Sequence, residues 1–214
     1  VLTGVLVSCV GSTLKMVATD SYRLAVSETE LDSPCPEEFE AVIAGSFLQD
    51  IASLPQSEDP ITIALNDNQI VVTYRDTTFI NRRIEGTFPN YKQLIAEGHS
   101  TRATLSTHAL TDAVRRVSLL SNKVSPVQVR VDAESGVVTL LTNSQDIGNA
   151  QENLICEVDG ESVDIAFNFT FMLDGLNSID TDAVHLDLFG PMKPGILRAA
   201  EGENFLYLIM PVRV

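Results

Sequence analysis

Thr19-Asp20-Ser21-Tyr22-Arg23 sets hydroxyls, a carboxylate, a phenol and a guanidinium side by side, between the apolar runs Leu14 to Val17 and Leu24 to Val26. Two kinds of chemistry fit this stretch. Ser21 beside Asp20 could serve a hydrolase if a histidine from elsewhere reached it, because triads are assembled in space. Alternatively, Asp and Ser side chains hydrogen-bond their own backbone and make tight turns. A surface turn between two strands can then form one wall of a binding site. The rest of the chain weighs against the hydrolase. His99, His108 and His185 show no H-x-x-x-H or H-E-x-x-H spacing. No G-x-S-x-G and no glycine-rich phosphate loop is present, and the carboxylates are scattered through turns. No catalytic residue, metal or cofactor is expected.

The chain has 214 residues, of which 44% are hydrophobic, which suits one large or two ordinary domains with a real core. A net charge of −15 repels bulk nucleic acid and anionic membrane, so contact with nucleic acid would need a local basic patch. Cys9, Cys35 and Cys156 have no C-x-x-C spacing and are odd in number. They read as buried or free thiols in a reducing, cytoplasmic setting. No run approaches the ~20 apolar residues that span a bilayer.

The elements that would hold the opening stretch follow from periodicity. Val1 to Val7 and Leu14 to Ala18 form a hairpin about Gly11-Ser12, and Leu24 to Glu30 alternates as a third strand. Leu31 to Glu38 is a Pro- and Glu-containing loop, and Phe39 to Ile43 is a strand. Gly45-Ser46 opens a helix with Ser46 as its expected N-cap and Phe47, Leu48, Ile51 and Leu54 on one face. Strands at 61–65, 70–74 and 77–84 complete a first unit, and a turn-rich stretch near Asn90 marks a boundary. The second unit starts with a strand at 103–105. A helix from Thr107 follows, with Leu110, Val114, Val117 and Leu120 on its apolar face. Strands are expected at 127–131, 137–141, 147–158 and 163–167, then a helix capped by Asn168 and running through Asn177. Three strands, at 184–188, 196–198 and 205–211, close the chain. The two halves repeat this order of elements at an offset of ~125 residues, a domain-sized period. The second copy has a leading strand and helix, Ala103 to Leu120, that the first lacks.

Five separated motifs carry a resemblance. Val17-Ala18-Thr19-Asp20-Ser21-Tyr22-Arg23-Leu24-Ala25-Val26 is similar to the VATDGHRLAV of the bacterial sliding clamp family, the beta subunit of DNA polymerase III. Glu85 to Tyr91 resembles its G-x-F-P-x-Y linker, and Leu119-Leu120-Ser121-Asn122-Lys123 its I-L-S-N-E/K. Ala166-Phe167-Asn168 resembles its G-F-N, and Tyr207 to Arg213 its Y-V-V/I-M-P-x-R. The resemblance implies an α+β fold of repeated DNA-clamp domains, with antiparallel sheets outside and helices on the inner face. It implies a middle domain at 1–90, lacking its first helix and strand, and a C-terminal domain at 91–214. The full-length protein would be a non-catalytic processivity factor, a head-to-tail dimeric ring around duplex DNA. This shorter chain is expected to be monomeric. The reading kept beside it is a β-rich peptide-binding adaptor unrelated to DNA.

The family's partners, namely the replicative polymerase, the clamp loader and repair proteins, present short peptides with a leading glutamine and trailing apolar residues. By resemblance, one subsite of their pocket is lined by Leu2, Thr19, Arg23, Leu24, Pro89, Leu94, Ile209 and Met210, and Leu208 also belongs to the pocket. Ser21 and Tyr22 stand where the family often has Gly-His, and Gln93 where a basic residue occurs. A shallower subsite uses Asn168, Phe171, Pro194, Pro211, Val212 and Arg213. Residue chemistry alone leaves Leu24, Leu94 and Ile209 open to being plain core, and Arg23 to pairing with a surface carboxylate. Arg115, Arg116 and Lys123 are the DNA-facing candidates, because the other two expected helices carry no Lys or Arg.

Overall fold

The computed structural model describes residues 3–120, 126–144, 148–202 and 204–213. The chain forms two compact units: residues 1–20 with 26–90, and residues 21–25 with 91–214.

The first unit opens with β1 (Gly4–Val10) and β2 (Thr13–Thr19), an antiparallel hairpin in which Val10 faces Thr13. Gly11 makes that turn at a φ of 57°, a left-handed value glycine adopts without a side-chain clash. β3 (Arg23–Glu30) enters this unit from Val26 onward, and β4 (Phe39–Ala44) pairs with the free side of β1. The strand order is therefore β3-β2-β1-β4. α1 (Gly45–Ala52) follows, then a meander of β5 (Ile61–Leu65), β6 (Gln69–Tyr74) and β7 (Thr77–Arg82). In β6, Ile70, Val72 and Tyr74 are buried while Val71 and Thr73 are half-buried, the two-residue period of a strand with one face on a core. That core gathers Val7, Ala41, Ile43, Phe47, Ile70 and Val72.

Two local expectations change here. The N-cap of α1 is Ala44, not Ser46, and no side chain caps the helix. β4 runs straight into the helix, so the Gly45 amide donates instead to the Thr3 carbonyl at 3.2 Å. A neighbouring backbone thus does what a capping side chain would otherwise do. The helix also stops at Ala52, short of Leu54.

The second unit begins with a short 3-10 helix, Tyr91–Leu94, where only a turn was expected. β8 (Thr101–Ser106) and α2 (Thr107–Ser118) follow. Ser106 caps α2, and Leu110, Val114 and Val117 are fully buried as their spacing predicts. Next come β9 (Val127–Asp132), β10 (Val137–Ser144), β11 (Gly148–Ile155), β12 (Glu157–Gly160) and β13 (Val163–Phe167). α3 (Phe169–Leu176), β14 (Ala183–Leu188), β15 (Gly195–Ala199) and β16 (Asn204–Ile209) complete it. The expected single strand at 147–158 is split at Cys156, whose amide donates to the Gly136 carbonyl at 2.9 Å. Before the break the chain pairs with β10, and after it with β8, so one continuous stretch serves two sheets. These sheets are β11-β10-β9-β13 and β12-β8-β14-β15-β16, all antiparallel. α2 and α3 pack on one shared core that includes Phe167, Met172, Leu186 and Tyr207.

The internal repeat is topological as well as sequential. β11-β10-β9-β13 has the strand order of β3-β2-β1-β4, a helix follows β13 as one follows β4, and each helix leads into a three-stranded meander. β8 and α2 have no counterpart among the described residues of the first unit.

Candidate functional site

α3 is the element on which the opening stretch is mounted. Asn168 holds its first turn: the side-chain oxygen accepts from the Thr170 amide at 2.8 Å and the Phe171 amide at 3.4 Å. Phe171, Asp174 and Gly175 are spaced i, i+3, i+4, so they share one face of the helix. Gly175 is there for contact distance. A Cβ built on it would stand 2.4 Å from Cδ1 of Tyr207, so only glycine lets that ring lie against the helix backbone.

Residues 21–25 cluster with this second unit. The Arg23 guanidinium lies over the Phe171 ring, 4.4 Å from its centroid, a cation–π geometry. Its Nη1 donates to the Tyr207 hydroxyl at 3.2 Å and pairs with the Asp174 carboxylate. The Tyr22 ring stacks on Phe171 with centroids 6.1 Å apart and planes 27° apart. Arg23 does pair with a surface carboxylate, and the same side chain also joins the turn, the helix and β16.

The C-terminal tail closes the arrangement. The Met210 amide donates to the Tyr22 carbonyl and the Val212 amide to the Ala166 carbonyl, each at 2.8 Å. The tail is thereby pinned at alternate residues, to the turn and to β13. Apolar surface is left open: Tyr22 is 61% exposed, Met210 39% and Val212 37%, beside half-buried Phe171. Stacked aromatics flanked by two apolar chains, with a guanidinium fixed by its partners, can hold an apolar peptide segment and orient it. Ser21 is exposed, and the histidines have other hydrogen-bond or ion-pair partners. His99 meets Asp159 at 2.9 Å, His185 meets Thr104 at 2.9 Å, and His108 meets Asp112 at 3.5 Å.

The remaining candidates fall in several places. Leu24, Leu208 and Ile209 are buried. Leu94, on the 3-10 helix with Gln93, is 52% exposed. Pro194 precedes β15 and is half-buried, as is Pro211, while Arg213 is exposed. Thr19 and Pro89 belong to the first unit, half-buried and exposed respectively. Leu2 and Lys123 lie outside the described residues. Arg115 and Arg116 are exposed on the last turn of α2. Arg116 grips Glu152 through two hydrogen bonds, of 2.7 and 3.1 Å, which raise its pKa and lower that of the carboxylate. Arg115 donates to Asn177 at 3.0 Å and lies 3.6 Å from Asp112. Both arginines expected on this face therefore already meet carboxylates.

Sequence reasoning missed one cluster. Asp187 on β14 is wholly buried, yet Arg102 from β8 clasps it at 2.6 and 2.8 Å and Arg198 from β15 at 3.1 Å. The hydrogen bond to Asp187 raises the Arg102 pKa, while burial, then the Arg102 charge, lowers that of His185. Strand alternation places Arg102 and Asp187 on the sheet face opposite Ala103 and Leu186, but their pairing depends on register between distant strands. Two cavities, of about 420 and 920 Å³, lie in the first unit.

Comparison with known proteins gives the same pattern over the whole chain. Residues 1–90 match the family model for the DNA polymerase III beta subunit, central domain, and residues 92–213 the model for its C-terminal domain. The beta sliding clamp of Streptomyces coelicolor is 34% identical and that of Synechocystis sp. is 32% identical, each across 100% of this chain. The chain spans 60% and 59% of those two relatives. Among solved structures, a DNA polymerase sliding clamp from Bacillus subtilis superposes with a TM-score of 0.93 at 27% identity, covering 100% of this chain and 57% of that one. A sliding clamp from Pseudomonas aeruginosa bound to griselimycin gives 0.92 at 25%, covering 99% and 57%.

Proposed function

Because the chain belongs to the DNA polymerase III beta subunit family, the sliding clamps, we propose that it is the partner-binding part of a DNA replication processivity factor. In this reading residues 1–90 and 91–214 are the middle and last of three clamp domains. The whole protein closes head to tail into a dimeric ring around duplex DNA in the cytoplasm, and this chain alone is monomeric. It performs no catalysis. It tethers the polymerase, the clamp loader and repair proteins through short glutamine- and leucine-bearing peptides.

The observation that carries the reading is the surface built by Tyr22, Phe171, Met210 and Val212 around the fixed Arg23 guanidinium. These residues come from opposite ends of the chain, yet backbone hydrogen bonds and stacking join them. Covering two leucine-sized anchors there is worth roughly 3–6 kcal/mol before ordering costs, which suits a micromolar, exchangeable contact. Griselimycin bound to the clamp of Pseudomonas aeruginosa supports a ligand-accepting surface on this fold. Ser21 and Tyr22 tune the preferred peptide. Arg115 and Arg116 soften repulsion of DNA phosphates only weakly, since Glu152 and Asp112 already face them.

The test is a fluorescence-anisotropy titration of a labelled glutamine–leucine peptide. Micromolar binding is expected, weakened about tenfold in Met210→Ala by loss of roughly 1.4 kcal/mol of apolar contact. Binding that is absent, or unchanged in Met210→Ala, would overturn the assignment of this surface.

A further inference from the structure

Two of the three cysteines meet in the first unit, in a part of the molecule that partner binding does not use. Cys9 lies near the end of β1 and is 1% exposed. Cys35 sits half-buried in the loop between β3 and β4. That loop folds back over the β1–β2 turn: the Leu31 amide donates to the Ser12 carbonyl at 2.8 Å and the Cys35 amide to the Gly11 carbonyl at 2.9 Å. The Cys9 thiol is directed at the same Gly11 carbonyl, at 4.0 Å. Both cysteines therefore converge on one backbone oxygen, and the Cys35 thiol helps to raise the Cys9 pKa. Both also line the cavity of about 920 Å³, which Glu37, Glu38 and β5 help to wall. A disulfide needs the two sulfurs at about 2 Å, and Cys35 lies on a loop free of regular secondary structure that can close on β1.

We propose that Cys9 and Cys35 are a redox-sensitive modification site, forming an intrachain disulfide in two steps when a hydroperoxide enters the cavity. In the first step the more accessible Cys35 sulfur attacks the peroxide. The O–O bond breaks, an S–O bond forms, the sulfur gives up two electrons, and the other oxygen takes up the Cys35 proton and leaves as water or an alcohol. In the second step the Cys9 sulfur attacks the Cys35 sulfenic acid. The S–S bond forms, the S–O bond breaks, and the Cys9 proton leaves with the hydroxyl as water. Cys9 suits the second role. Burial first, then the Cys35 thiol and Glu38, push its pKa up to about 11, so at neutral pH it stays protonated and leaves the peroxide to Cys35; it becomes a nucleophile only as its proton passes to the departing hydroxyl. The bond would staple the 31–38 loop to β1, and a thiol reductant reverses it.

The test uses the whole chain with hydrogen peroxide, quenched and then alkylated in denaturant and mapped by mass. One crosslinked Cys9–Cys35 peptide pair is expected, lighter by two hydrogens and restored by dithiothreitol. Cys156, half-buried with its thiol pKa raised by burial, is the internal reference and should be lost about tenfold more slowly than Cys35. In Cys9→Ser, the Cys35 sulfenic acid should persist and be trapped by dimedone. Chain-to-chain disulfides, oxidation of Cys35 without the Cys9 crosslink, or oxidation of Cys156 as fast as Cys35 would each overturn the proposal. The mapping on the unsubstituted chain stands even if Cys9→Ser fails to fold.

Discussion

Gly175 sets how closely the α3 backbone meets the Tyr207 ring, and through that ring it sets where Arg23 sits. A methyl group there would fall 2.4 Å from a ring carbon, well inside van der Waals contact. The ring must move, and its hydroxyl then leaves the Arg23 guanidinium that it meets at 3.2 Å. Alanine favours a helix over glycine by about 1 kcal/mol, which pulls the other way. Overpacking at a rigid aromatic ring costs about 1–3 kcal/mol, so the clash wins. Urea unfolding of Gly175→Ala should therefore show a net loss of stability. A gain of about 1 kcal/mol would mean that the Tyr207 ring yields freely and does not position Arg23. Residue chemistry made Tyr22 and Arg23 legible in the sequence, because polar groups crowded between apolar runs are unusual. Their partners were not legible. Asp174 lies 151 positions from Arg23, and no local pattern announces a contact of that span.

The helices differ in how their first turns are held. Asn168 caps α3 with its side chain, whereas α1 starts at Ala44 and takes its support from the Thr3 carbonyl. Asn168→Ala should cost about 1 kcal/mol by thermal or chemical unfolding, and Ser46→Ala, on an exposed residue, close to nothing. Equal costs would contradict the assigned caps. The sequence shows to within two residues where α1 and α3 begin, through Gly-Ser and Phe-Asn ahead of an apolar period. It does not show which group accepts the first amides, because that group can belong to another strand. The same limit explains the run 147–158. Its apolar period marks a strand, but the switch at Cys156 from β10 to β8 is a fact of register between sheets. The strand order of the repeat was more accessible, since turn chemistry and period fix hairpins locally and the two halves support each other.

Across the molecule, acidic charge is abundant and the described basic side chains of α2 face carboxylates, so affinity for DNA is not where the chain's chemistry concentrates. It concentrates where the 21–25 turn, α3 and the C-terminal tail meet in the second unit. If this meeting point binds partner peptides, amide hydrogen exchange with and without a saturating glutamine–leucine peptide will show it. The expected result is slowed exchange at residues 21–24, 168–174 and 207–213, with β5, β6 and β7 unchanged. Protection confined to those three strands, or none anywhere under saturating peptide, would contradict the account.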